Sequence, residues 1–179
     1  MVTNNISLAE RLLKLGARIF ANHYLLHYCV RKNMQEMVEV LVQNGDNINM
    51  RDISGWTPLL LAIREHNNVL IQYLIERGSV INRDEYVMKE LHIAIQESQN
   101  IEQFRFVATL LLLNGVKIDS NNYWGEPPLL HAIAMEKYQM AELLIKEGAN
   151  VMENNDRCLD ILLLARRERN ITLMKLLGK

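Results

Sequence analysis

Six pairs of aliphatic residues recur along the chain: Leu12-Leu13, Leu41-Val42, Leu74-Ile75, Leu111-Leu112, Leu144-Ile145 and Leu176-Leu177. After the first five, two residues intervene and then a glycine follows: Gly16, Gly45, Gly78, Gly115 and Gly148. The pair-to-pair spacings are 29, 33, 37, 33 and 32 residues. A period near 33 means one supersecondary unit used again and again. Each copy leaves an apolar face that only the neighbouring copy can cover.

Within each period a short apolar helix is followed by a polar break and a second apolar helix. A glycine able to take positive φ then ends that helix before a polar loop. The best-preserved copy is DISGWTPLLLAIREHNNVLIQYLIERGSVIN, Asp52 to Asn82. There Gly55 suits a tight turn, Thr57 can cap the first helix and Pro58 suits its first position. This unit resembles the ankyrin repeat, D-x-x-G-x-T-P-L-H-x-A-A with a second helix ending L-L-x-x-G-A. Other copies keep parts of the motif: Leu26-His27 with Cys29 in the alanine slot, Leu91-His92 with Ala94, and Pro128-Leu129 with Ala132 after Gly125. In the last copy the motif start near Cys158 is offset by two or three residues from the position that Leu176 predicts.

The resemblance implies an all-α fold, an ankyrin-repeat solenoid of stacked helix-turn-helix units with finger loops. It would fill residues 1–179 as a single domain: a partial unit at 1–22, then units at about 23–51, 52–83, 84–121, 122–153 and 154–179. The opening half-unit begins with a capping box at Ser7 to Glu10, which favours a natural short form over a fragment. At the far end Arg166, Arg167 and Arg169 supply charge for a solvated capping face. From Lys89 to Gly115 the chain takes 26 residues, against 21 from Thr57 to Gly78. The five added residues lengthen the passage between the helices, Glu97 to Phe106, and predict an extended helix or a projecting turn on the face opposite the fingers.

Composition narrows the function. Twenty Lys and Arg against 21 Asp and Glu leave a formal net charge of −1, no field to hold nucleic acid or an anionic membrane. Apolar runs such as Leu59 to Ile63 are far shorter than the roughly 18 residues of a membrane helix. Cys29 and Cys158 are too few and too far apart for a disulfide framework. They suit a reducing compartment, so the expected location is the cytoplasm or nucleus. Phosphate-loop, metalloprotease, nucleophile-elbow and dinucleotide signatures are all missing, which argues against an enzyme and predicts no cofactor. His23, His27 and Cys29 come nearest to a metal set. The motif reading instead turns His27 and Cys29 to structural use, and no metal site is expected. Second-helix methionines, Met34, Met37 and Met140 among them, are expected in the core.

What remains is a surface. In ankyrin proteins the variable positions near the finger tip and late in the first helix usually contact the target. Here the resemblance points to Ile53, Trp56, Arg64 and Glu65, then Glu85, Tyr86, Met88 and Gln96, then Tyr123, Trp124, Glu126 and Met135. Trp56, Tyr86, Tyr123 and Trp124 would be the anchors, since Trp and Tyr carry much of the energy at protein interfaces. Glu65, Glu85, Glu97, Glu126 and Glu136 would form a negative rim that favours a basic target. The expected function is a non-enzymatic interaction module, monomeric on its own, that masks, recruits or scaffolds one or more partner proteins through its concave finger-loop face, without direct nucleic-acid or membrane contact. The competing classes are a substrate-recognition or regulatory subunit of an enzyme complex, and a viral or bacterial effector aimed at host proteins.

Overall fold

The computed structural model describes residues 24–79 and 89–151. The opening half-unit, the tip of the finger near 80–88 and the last unit lie outside the described residues. Among those described there are eight helices and no strand. The chain divides into two compact units, Met1–Val80 and Ile81–Lys179. In the first, α1 (Leu25–Arg31) pairs with α2 (Gln35–Gln43) and α3 (Pro58–Arg64) with α4 (Asn68–Glu76). In the second, α5 (Glu90–Glu97) pairs with α6 (Ile101–Leu113) and α7 (Pro128–Ala134) with α8 (Tyr138–Lys146).

The first helices are only seven or eight residues long, too short to hold together in water by themselves. Tertiary burial holds them. In α3 every residue from Pro58 to Ile63 is buried, and α1 packs directly against it. In the second unit α5 packs on α7 and α6 on α8, so like helices stack on like. Thr57 caps α3 as expected, its hydroxyl accepting from the Leu60 amide, with Pro58 at the first position. In the corresponding place before α1 stands Tyr24, which gives no side-chain cap. Asn67 and Asn100 cap α4 and α6 through their side-chain oxygens.

Each second helix closes in the same way. At the end of α4 the Gly78 amide bonds to the Ile75 carbonyl and the Ser79 amide to Leu74, both at 3.0 Å, with Gly78 at φ 87°. The paired aliphatics of the repeat therefore supply the carbonyls that this reversal satisfies. Three of the four first helices reverse alike through a residue other than glycine: Asn33, His66 and Glu136 lie at φ 54°, 58° and 59°.

The exception is α5, where the insertion lies. Ser98 leaves the helix in extended conformation, and α6 runs 13 residues against nine in α2, α4 and α8. The extra length is therefore in the helices, chiefly the second, which is an extended helix as expected, while the passage between them is no longer than in the other units. Without the left-handed reversal, two carbonyls of α5 need another donor. Lys137 supplies it, its Nζ donating to Ile95 O at 2.5 Å and Gln96 O at 2.7 Å. The helix carries its own core contact in Phe104, fully buried. Of the second-helix methionines, Met140 is buried, whereas Met34 and Met37 are only half-buried because they lie in the first turn of α2 or just before it.

Two substitutions test this account. Phe104→Ala should destabilise the protein by roughly 3 to 5 kcal/mol, read as a fall in the urea midpoint. Gly78→Ala should cost about 1 kcal/mol through backbone conformation alone, because an added Cβ would meet nothing within 4 Å.

Candidate functional site

The two described fingers are closed by one residue each. In the first unit Asp52 Oδ1 accepts from the amides of Ser54 at 2.9 Å and Trp56 at 3.0 Å. In the second unit Asn122 Oδ1 does the same for Trp124 at 3.0 Å and Glu126 at 2.9 Å. Backbone bonds complete both loops: Gly55 N to Asp52 O, Asp52 N to Trp56 O, Gly125 N to Asn122 O and Asn122 N to Glu126 O. Asp and Asn are interchangeable here because the loop needs only a short side-chain oxygen two and four residues ahead of the amides it accepts from.

A buried histidine then ties each finger to the preceding first helix. His27 Nε2 donates to Trp56 O at 2.9 Å, and His92 Nε2 to Glu126 O at 2.8 Å. A carbonyl only accepts, so Nε2 carries the proton in both rings. The motif histidine is thus a strut between consecutive repeats. Burial pushes the His92 imidazole down to about 4, opposed by its bond to the Glu126 carbonyl and reinforced by the neighbouring His131. Cys29 occupies the alanine slot beside His27, fully buried, and burial foremost raises its thiol to about 11. A thiol so protonated is a poor nucleophile and a poor metal ligand at neutral pH. Among the described residues no group of three or more His, Cys, Asp or Glu is placed to hold a metal ion.

The residues singled out from sequence fall into different surroundings. Ile53 stands at the tip of the first finger, 89% exposed. Trp56 is half-buried, with the Arg64 guanidinium 4.8 Å from its ring centre, and Glu65 reaches Arg64 at 3.2 Å. Those three form one cluster, with Arg64 at the end of α3 bridging Trp56 before the helix and Glu65 after it. Tyr123 and Trp124 are 61% and 66% exposed and meet edge-on at 6.0 Å on the second finger. Gln96 and Met135 are exposed at the ends of α5 and α7. Glu85, Tyr86 and Met88 lie outside the described residues. Of the expected negative rim, Glu126 turns to His131 Nδ1 at 2.9 Å and to Asn122 Nδ2 at 3.1 Å. Glu136 is exposed and Glu97 half-buried.

The structure adds a site that motif matching passes over. Tyr24, Leu25, His27, Tyr28 and Arg31 on α1 face Asp52, Ile53 and Ser54 of the following finger across a pocket of about 520 Å³. Arg31 and Asp52 form an ion pair across it at 2.8 Å. The signal was available as a face, since Tyr24, Tyr28 and Arg31 stand at i, i+4 and i+7. The same stretch, read for its T-P-L-H register, yields only Leu26 and His27.

Comparison with known proteins decides the family. A profile of ankyrin repeats in three copies matches residues 1–85 and again 26–108, and a profile of the single ankyrin repeat matches 124–157. The chain belongs to the ankyrin-repeat family. Ankyrin repeat protein FPV034 of fowlpox virus is 28% identical over 127 residues, 71% of this chain and 29% of its own length. The mouse B-cell lymphoma 3 protein homolog is 30% identical over 165 residues, 84% of this chain and 36% of its own. Transient receptor potential cation channel subfamily A member 1 of human is 27% identical over 124 residues, 69% of this chain and 11% of its own. The chain therefore spans about a third or less of these relatives. The likeness to proteins so unlike one another conveys the repeat array of this chain and nothing more.

The strut makes a pH prediction. Because the His92 pKa is lowered on folding, the unfolded chain binds the extra proton between its ordinary value near 6.5 and about 4. Stability from this residue is whole above about pH 6.5 and lost as pH falls through that window. Unfolding midpoints measured across it should decline less steeply in His92→Gln than in the parent protein.

Proposed function

We propose that this ankyrin array is a non-enzymatic protein-binding module that masks, recruits or scaffolds a partner, working in the cytoplasm or nucleus. Ankyrin repeats are protein–protein interaction modules, and the family is in general non-enzymatic. No helix among the described residues is long and apolar enough to cross a membrane.

The observation that carries the reading is the pair Tyr123 and Trp124. The second finger is closed by bonds through Asn122 and Gly125 and by the strut from His92, and none of these is made by the ring of Tyr123 or Trp124. Two large rings, each about two-thirds exposed, nevertheless stand at its tip. Exposed aromatics on a rigidly held loop lose little conformational entropy on binding and bury much area. Trp56 plays a mixed part: its carbonyl receives the strut from His27 while its ring stacks under Arg64.

A partner captured by the full chain tests this reading. Tyr123→Ala and Trp124→Ala should each weaken binding by about 2 kcal/mol or more, with the unfolding midpoint shifted by less than about 0.5 kcal/mol as for surface sites. Unchanged affinity in both folded variants would reject the finger tip as the binding site.

A further inference from the structure

The pocket between α1 and the first finger is built differently from the second finger. Its floor is His27, buried and occupied as a strut. Its walls are Tyr28, 55% exposed, Tyr24, which meets His27 edge-on at 5.8 Å, and the bare side chain of Ile53. The charge at its rim is sorted by burial. The Asp52 carboxylate is almost fully covered and already accepts from two backbone amides and from Arg31 Nη2. The Arg31 side chain is 43% exposed, so the pair presents its cation to solvent and its anion to the loop. One guanidinium N–H is committed to Asp52; a guanidinium has five. An arginine oriented by a buried carboxylate, with donors left beside an aromatic pocket, suits a carboxylate better than any other common peptide group.

We propose that this pocket binds a linear protein segment in which a large apolar side chain lies within two residues of a glutamate or aspartate. The apolar group would enter between Tyr24, Tyr28 and Ile53, and the acid would reach the free edge of Arg31. The inference rests on the reading of the chain as a protein-binding module and names a class of partner for its first unit. It does not involve Tyr123 or Trp124.

A library of random linear peptides displayed on phage and selected on the full-length chain tests it. Enrichment of an acidic residue next to a large apolar one is expected. A synthetic peptide from that pool should lose roughly tenfold or more in affinity on Tyr28→Ser and on Arg31→Gln, and keep it on Val69→Ser, an exposed site on α4. Replacing the peptide's acid by its amide should weaken binding to the parent chain and have little further effect in Arg31→Gln. Should Arg31→Gln fail to fold by circular dichroism, the acid-to-amide comparison on the parent chain and Tyr28→Ser decide instead. Selection of basic motifs, no enrichment, or binding indifferent to Tyr28→Ser and to the amide peptide would overturn the proposal. Any of these results leaves the role of Tyr123 and Trp124 to be judged on the captured partner, so the two readings fail separately.

Discussion

Everything in this structure depends on the burial of helices that cannot stand alone. Seven residues make fewer than two turns, and nucleation makes such a helix unfavourable in water. Yet Leu59, Leu60, Leu61, Ala62 and Ile63 follow one another without a polar residue, and all are buried. A helix apolar on every side has no solvent face to choose, so it must be enclosed: by its own second helix on one side and by the neighbouring first helix on another. Its position follows from that enclosure. The finger ends where the enclosed helix begins, which is why the residues before α3 and α7 project in equivalent ways.

Enclosure places the fingers, and a second set of bonds aims them. The struts from His27 and His92 use the same ring nitrogen on equivalent carbonyls, those of Trp56 and Glu126. Asp52 and Asn122 then close the loops with the same geometry. The chemical difference between the two closing residues has consequences beyond the loop. The charge of Asp52 draws Arg31 from α1 and leaves a cation at the pocket rim. Asn122 carries no charge and instead donates to Glu126, which also meets His131. One backbone design therefore shows two electrostatic surfaces, and specificity in such arrays arises from these substitutions on a shared frame.

The insertion that lengthens α6 shows how far that frame can bend. Where the helix reversal normally turns the chain back on its own carbonyls, the extended exit at Ser98 leaves Ile95 and Gln96 to be met by Lys137 from the following repeat. Buried or partly buried carbonyls find donors somewhere. A repeat array can accept extra residues because each defect is repaired locally, by a neighbour already in contact.

The repeat, its helices and its reversals were legible from residue types alone, because each rests on local chemistry. Thr57 and Pro58 start a helix wherever they occur in that order, and an aliphatic pair ahead of a glycine ends one. The period near 33 announced the stack, since no single unit could bury its own apolar face. Tertiary structure decided what the surface offers. Glu126 and Trp124 are two residues apart on one loop, and nothing in their order says that one would turn inward to His131 while the other stays exposed. Trp56 stands on a finger as Trp124 does, yet its ring is half-covered, because Arg64 from the far end of α3 comes back over it. Tyr24, Tyr28 and Arg31 became a pocket wall only when the next finger was set against α1 and Asp52 took hold of the arginine. Helix signals act over three or four residues, within reach of a backbone hydrogen bond. The direction and exposure of a side chain depend on what a different repeat brings next to it.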